Sequence, residues 1–256
     1  MIEIRELVKH FGRFEAVRGL SLTVAEGEVV GFLGPNGAGK TTTMRIIAGL
    51  LRATAGEVHL CGHDVQREPL AAKQLTSYIP DRPFLYDKLT AFEFLEFVGG
   101  LHHMTPRQVA DGAERLLERF GLGQWADGLV ESFSHGMKQR LVFAAALLTD
   151  PRVLIVDEPM VGLDPGGAKL VKTVLREQCE RGCVLLSTHT MDVAEQICDR
   201  IAIVSRGRIA AMGTMDELRA RADEPGSNLE SIFLRLTEEA RAEEDRAERE
   251  DGAARA

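Results

Sequence analysis

Hydrophobic and polar positions alternate along the first thirty residues. The runs IEIRELV, AVRGLSLTV and EVVGFL are separated by HFGRF and AEGE, which carry turn signals. Alternation of this kind, broken by turns, predicts antiparallel strands over residues 2–33. Helical spacing then runs from Met44 to Leu50 and is expected to end near Gly49. After the turn Ala53-Thr-Ala-Gly56 a strand is expected at Glu57–Leu60, and another short one at Ser77-Tyr-Ile79.

Two helical patterns follow between Ala91 and Phe120. They are read as broken at Gly99-Gly100 and restarted at Thr105-Pro106, an N-cap with proline at the first helical position. A further helix is expected over Lys138–Leu148. The run VLIVD, Val153–Asp157, is apolar without alternation, which fits a central parallel strand covered on both faces. Beyond it, helix and strand alternate: a helix over Gly166–Arg181, a strand at Val184–Ser187, a helix at Met191–Cys198, strands at Ile201–Ser205 and Arg208–Ala211, and a short helix from Thr214. Such alternation predicts an α/β fold with a mostly parallel sheet, preceded by an antiparallel β part and interrupted by an inserted helical segment. The segment DEPGSN past Ala222 reads as a linker, and LESIFLRL keeps enough apolar residues to dock. The residues beyond Thr237 are almost all charged or alanine, and fit either a frayed helix or a disordered tail.

Composition adds little to this picture except by exclusion. With 45% hydrophobic and 27% charged residues the chain is ordinary for a soluble globular protein of 256 residues. The net charge of −8 rules out a basic nucleic-acid footprint, and no nucleic-acid partner is expected. The four cysteines, Cys61, Cys179, Cys183 and Cys198, have no paired spacing and read as reduced, packed thiols. The longest apolar stretch, about Leu141 to Leu148, is far shorter than the roughly 18 residues needed to cross a bilayer, so any membrane-spanning part must come from another chain.

The strongest chemical signal is GPNGAGKTT, Gly34 to Thr42, set between the apolar run Val29–Leu33 and the helical pattern after it. Gly-x-x-x-x-Gly-Lys-Ser/Thr arises by chance in on the order of one chain in a hundred of this length, so the flanking strand and helix are what make it informative. Gly34, Gly37 and Gly39 let the backbone turn tightly enough for consecutive N–H groups to face one anion, and the helix adds its positive end. Lys40 can reach the β- and γ-phosphates of a nucleoside triphosphate, and the Thr41 hydroxyl can ligand magnesium.

A second half of the site is expected at Asp157-Glu158, at the carboxyl end of a buried strand. The aspartate suits a magnesium ion and the glutamate can polarise a water for attack on the γ-phosphate. His189 follows another apolar strand and emerges on the same side, although a lone histidine there is more often structural. Ser134 and Gly136, in SHGMKQR, precede a helix and form a second N-terminus able to bind phosphate, or an ordinary N-cap. Phe11 lies in the first turn and either packs in the core or offers a face to an adenine ring. Five of the fourteen aromatics, Phe84, Tyr86, Phe92, Phe94 and Phe97, cluster between positions 84 and 97, and either fill a small helical core or line a groove for a partner helix.

Taken together, GPNGAGKTT, SHGMKQR, VLIVDEP, GLDP and STH, in that order over about residues 1–222, resemble the ATP-binding cassette of ABC transporters. The resemblance implies a P-loop NTPase core with an N-terminal antiparallel β subdomain, an α-helical subdomain inserted at about 84–150, and a C-terminal extension over 223–256. By the same resemblance Gly34, Pro35, Asn36, Gly37, Ala38, Gly39, Lys40, Thr41 and Thr42 form the Walker A loop. Asp157 is the Walker B aspartate, Glu158 the catalytic glutamate, Ser134–Arg140 the signature motif, Gly162–Pro165 the D-loop and His189 the switch histidine. Phe11 falls at the adenine-stacking position. ATP and Mg2+ are the implied cofactors. The implied partners are a second cassette, paired head to tail so that each ATP lies against the other copy's Ser134 and Gly136, and a membrane-spanning permease subunit. The implied location is cytoplasmic, on the inner face of the membrane, and Met137 with the ending LESIFLRLT resembles exporter-type subunits. The rival within the same superfamily is an ATPase acting on ribosomes or DNA. His135 replaces the first glycine of the usual Leu-Ser-Gly-Gly-Gln signature, and Asp81 stands where glutamine is common, with a magnesium or water contact as its assigned role.

Overall fold

The computed structural model describes residues 1–82, 84–223 and 227–254. Residues 224–226 of the expected linker and the last two residues of the charged tail lie outside them.

Two strands, β1 (Ile2–Phe11) and β2 (Phe14–Val24), form an antiparallel hairpin, and β3 (Val29–Leu33) leads into α1 (Lys40–Ile47). After α1 come β4 (Ala55–Leu60), a two-residue strand β5 (His63–Asp64), α2 (Pro69–Gln74) and β6 (Thr76–Ile79). The helical insert holds α3 (Ala91–Leu101), α4 (Pro106–Arg119), two short 3₁₀ turns and α5 (His135–Leu148). The chain then alternates through β7 (Val153–Asp157), α6 (Pro165–Cys179), β8 (Cys183–Thr188), α7 (Met191–Ile197), β9 (Arg200–Ser205) and β10 (Arg208–Gly213). It ends with α8 (Met215–Arg221) and α9 (Leu229–Ala254).

These strands make two sheets. One is antiparallel, in the order β2-β1-β4-β5. The other has the order β10-β9-β3-β8-β7-β6; its five strands from β9 to β6 run parallel and only the edge strand β10 is antiparallel. The expected α/β architecture with an antiparallel N-terminal sheet and a mostly parallel main sheet is therefore observed.

The unalternating run VLIVD has a direct cause. Within β7, Leu154 and Val156 face a core shared with the helical insert and α6, whereas Val153 and Ile155 face a second core shared with α1 and the antiparallel sheet. Strand β8 divides in the same way, with Val184 and Leu186 on one side and Cys183 and Leu185 on the other. Both faces are dry, so both must be apolar.

Several boundaries differ from those read in the sequence. Helix α1 begins at Lys40, inside the glycine loop, and α5 begins at His135, so Gly136 lies in its first turn. Gly99 and Gly100 do not break a helix; both lie within α3. A Cβ on Gly99 would sit 2.5 Å from Val109 Cγ2 on α4, so the missing side chain lets the two helices approach closely. Two capping boxes, Thr90 with Glu93 and Thr105 with Gln108, start α3 and α4. The segment LESIFLRL opens α9 and buries Leu229, Ile232 and Leu236 against the main core.

Candidate active site

Parallel strands place their carboxyl ends on one edge of the main sheet, and the candidate residues leave from four of them. From β3 the chain enters the glycine loop. Gly37 and Gly39 adopt left-handed conformations, with φ of +81° and +99°. A Cβ on Gly39 would lie 2.5 Å from the Ala16 carbonyl oxygen. Gly34 has no positive φ and is required for a different reason: a Cβ there would lie 2.5 Å from the Val204 carbonyl oxygen. The loop is thus pressed between β2 and the end of β9. Lys40, 7% exposed, donates from Nζ to the carbonyl oxygens of Gly34 at 2.7 Å and Pro35 at 3.2 Å. Burial lowers its pKa below the ordinary lysine value, while the negative charges of Glu158 and Asp157 oppose that shift.

A cavity of about 280 Å³ opens above the loop. Asn36, Gly37, Gly39, Lys40, Thr41 and Thr42 line one side, and Asp81, Asp157 and Glu158 the other. Asp157 ends β7, directly opposite Ser187 of β8. Its Oδ1 accepts a short hydrogen bond from the Ser187 hydroxyl, and its Oδ2 is buried without a partner. An unpaired buried carboxylate oxygen in a cavity that also holds Asp81 and Thr41 is a hard-oxygen donor set, which suits magnesium. Among the described residues no group of three His, Cys, Asp or Glu side chains is placed to hold a metal by itself. A cation here therefore needs further oxygens, of the kind that phosphates supply.

Glu158 leaves the strand at φ +52°, a left-handed conformation for a residue with a side chain, and its N–H donates to Ser187 O at 3.1 Å. His189 Nδ1 lies 2.7 Å from Glu158 Oε1. The imidazole is 56% exposed on its side chain and touches the cavity only through that glutamate.

Other expected residues lie elsewhere. Ser134 caps α5, its hydroxyl accepting from Met137 N–H at 3.3 Å, and neither it nor Gly136 lines the cavity over Lys40. The start of α5 is therefore not part of the cavity over Lys40. Phe11 and Phe14 pair across the tip of the β1–β2 hairpin, but Phe14 lines the cavity and Phe11 does not; the Lys9 ammonium sits 5.1 Å above the Phe11 ring. Phe14 and the Asp157 partner Ser187 were the residues that sequence reasoning missed. Phe14 was within the same turn string as Phe11, and Ser187 within the motif noted for His189.

A larger groove, about 690 Å³, separates α1 and β6 from α3 and α5. Phe84, 87% exposed, lines it with Arg45, Tyr78, Phe94 and Val98. The other aromatics divide: Phe92 packs on the core, while Tyr86 meets the edge of Phe97 at 5.1 Å. Burial pushes the Tyr78 phenol up to about 12, reinforced by the Asp157 charge, with Arg45 opposing.

A glycine loop between a buried strand and a helix, faced across the sheet edge by a strand-end carboxylate pair, defines a P-loop protein built to hold a nucleotide's phosphates. The chain belongs to the ABC transporter family, whose pattern matches residues 17–161. It is 42% identical to the daunorubicin resistance ATP-binding protein DrrA3 of Streptomyces coeruleorubidus over 89% of this chain and 71% of that protein. A solved structure of an ATP-binding subunit of an ABC transporter superposes with a TM-score of 0.88 at 32% identity, covering 93% of this chain and 99% of that one. A dimeric ATP-binding cassette in a post-hydrolysis state, bound to ADP and Pi, superposes with a TM-score of 0.76 at 25% identity, covering 84% and 99%.

Proposed function

We propose that this chain is the ATP-hydrolysing subunit of an ABC transporter, working as one of two paired cassettes on a separate membrane-spanning partner. Among the described residues no helix is long and apolar enough to cross a membrane, so on this reading the partner provides the path. The observation that carries the proposal is the split site. Lys40, Asp157 and Glu158 share one cavity that neither Ser134 nor Gly136 lines, and on this reading a second cassette brings those two to the same phosphate.

In this scheme the loop amides and Lys40 hold the β- and γ-phosphates, Lys40 exchanging its two loop carbonyls for phosphate oxygens. Phe14 or Phe11 at the hairpin tip offers a face to the adenine. Thr41, Asp157 and Asp81 hold magnesium, which neutralises charge on the triphosphate. Glu158 accepts a proton from the attacking water, and His189, bonded to it, fixes its orientation near the γ-phosphate. Ser134 and Gly136 of the second cassette close the other side, so that binding joins two copies and hydrolysis parts them. The large groove, with Phe84 exposed at its wall, receives a short helix of the permease. Similarity to a resistance protein, together with Met137 and the ending LESIFLRLT, favours export on the inner face of the membrane.

The test is Glu158→Gln. Loss of the general base should reduce turnover by about 10²- to 10⁴-fold and leave ATP binding intact. The variant should elute as a dimer in MgATP, and a monomer at saturating ATP counts against the pairing. Tagged subunit drawn from detergent-solubilised membranes should bring a polytopic membrane protein with it; ribosomal or DNA-bound material instead would overturn the transporter reading.

A further inference from the structure

The loop from Glu158 to Asp164 joins the strand-end carboxylates to α6, and its own hydrogen bonds are few. Val161 N–H reaches Glu158 O and Leu163 N–H reaches Met160 O, both at 3.4 Å, too long to be firm. The ends are better held. Glu158 N–H donates to Ser187 O, and the Asp164 carboxylate caps α6 by accepting from Gly167 N–H at 2.8 Å.

The middle of the loop is held from α5. Gly162, at φ +76°, packs against the imidazole of His135: a Cβ built on it would fall 2.0 Å from His135 Cδ2 and 2.5 Å from Nε2. On the other side the Gly162 carbonyl approaches Gly136, where a Cβ would lie 3.2 Å from that oxygen. Ring and helix backbone together form a seat with room for a residue that has no side chain. The ring is exposed at the surface, and among the described residues its nitrogens have no hydrogen-bond partner; packing is the contact it makes.

We propose that His135 is a positioning residue: its ring seats Gly162 and thereby fixes the loop that begins at Glu158. A glycine at position 135, as the family's usual signature has, leaves nothing on that side of Gly162. The inference rests on the reading of Glu158 as the group that acts on water, because only then does looseness in the loop slow the chemical step.

His135→Gly should lower kcat about tenfold, the loss expected when a reacting group is slightly misplaced. His135→Phe, which keeps a flat ring without nitrogens, should restore most of the rate. If Phe fails and Lys or Arg restores activity, charge is the operative property and the seat is wrong. Gly162→Ala should impair the wild-type background more than the His135→Gly background, where the collision with the ring is gone; strictly additive effects overturn the proposal. Hydrogen exchange supplies a readout free of catalysis. Amides of 160–163 should exchange faster in His135→Gly than in the wild type, even if Glu158→Gln shows that another group activates the water. Unchanged exchange in a folded variant defeats the inference by itself.

Discussion

Lys40 is held by its own loop. Its ammonium is almost buried, gives two hydrogen bonds to backbone carbonyls and has a pKa lowered by desolvation, so it is held in one place at the wall of the cavity. Charged hydrogen bonds contribute about 1.5–3 kcal/mol each, so Lys40→Ala should weaken nucleotide affinity by tenfold or more and abolish turnover. Equilibrium titration with a fluorescent ATP analogue checks this, and undiminished affinity refutes the site. Asp81 permits a sharper comparison, because its negative charge should favour a metal and disfavour a bare triphosphate. Asp81→Asn should raise the magnesium concentration for half-maximal activity several-fold while metal-free ATP binding holds or improves. A metal dependence identical to wild type would remove Asp81 from the site. At this scale the motifs Gly34–Thr42 and Asp157-Glu158 could be read directly, because local chain geometry alone gathers their residues. Phe14 could not be separated from Phe11, since which hairpin residue faces the loop depends on register across β1 and β2. Gly34 was assigned a turn, whereas its role is to let β9 approach, a contact 170 residues away in sequence.

Elements were legible where periodicity was long or caps were explicit. Thr105-Pro106 starts α4 as its sequence states, and VLIVD forms a central strand because both of its faces are dry. The short pieces β5 and α2 carry too few residues for a period to show. Gly99-Gly100 misled for a physical reason: glycine lowers helix propensity, yet at Gly99 its missing side chain makes room for Val109, while a Cβ on Gly100 would meet nothing. The same logic holds one contact further on, where a Cβ on Gly112 of α4 would meet Leu148 Cδ1 of α5 at 2.7 Å. Helix propensity alone favours Gly99→Ala by roughly 1 kcal/mol, but overpacking costs about 1–3 kcal/mol, so the net effect should be a loss of stability. Gly99→Ala should lower the urea midpoint, and adding Val109→Ala should recover part of what the collision costs relative to Val109→Ala alone. A stabilised single variant would show that α3 and α4 can separate freely.

For the molecule as a whole, the parallel sheet is the wall between two cores, and three of the four thiols are buried close to it. Cys183 opens β8, Cys198 presses on Gly31 of β3 so closely that a Cβ there would lie 2.6 Å from its Sγ, and Cys179 ends α6. Burial pushes Cys183 and Cys198 up to about 12 and Cys179 to about 11, and Tyr78 joins them at about 12. These are acids whose folded-state values lie above the unfolded ones, so the unfolded chain releases protons first as pH rises. Their stabilising contribution is complete below about pH 9, where thiols stay protonated in both states, and is lost progressively from there towards pH 11–12. Each fully ionising thiol should remove about 1.4 kcal/mol per pH unit, with the phenol adding to the slope above about pH 10. The urea midpoint should therefore hold steady from pH 7 to 8.5 and fall steeply between pH 9 and 10.5. Cys183→Ala should begin from a lower midpoint, because it leaves a small cavity, but decline with a shallower slope. Parallel declines in wild type and variant would show that the wall between the cores admits water to that thiol.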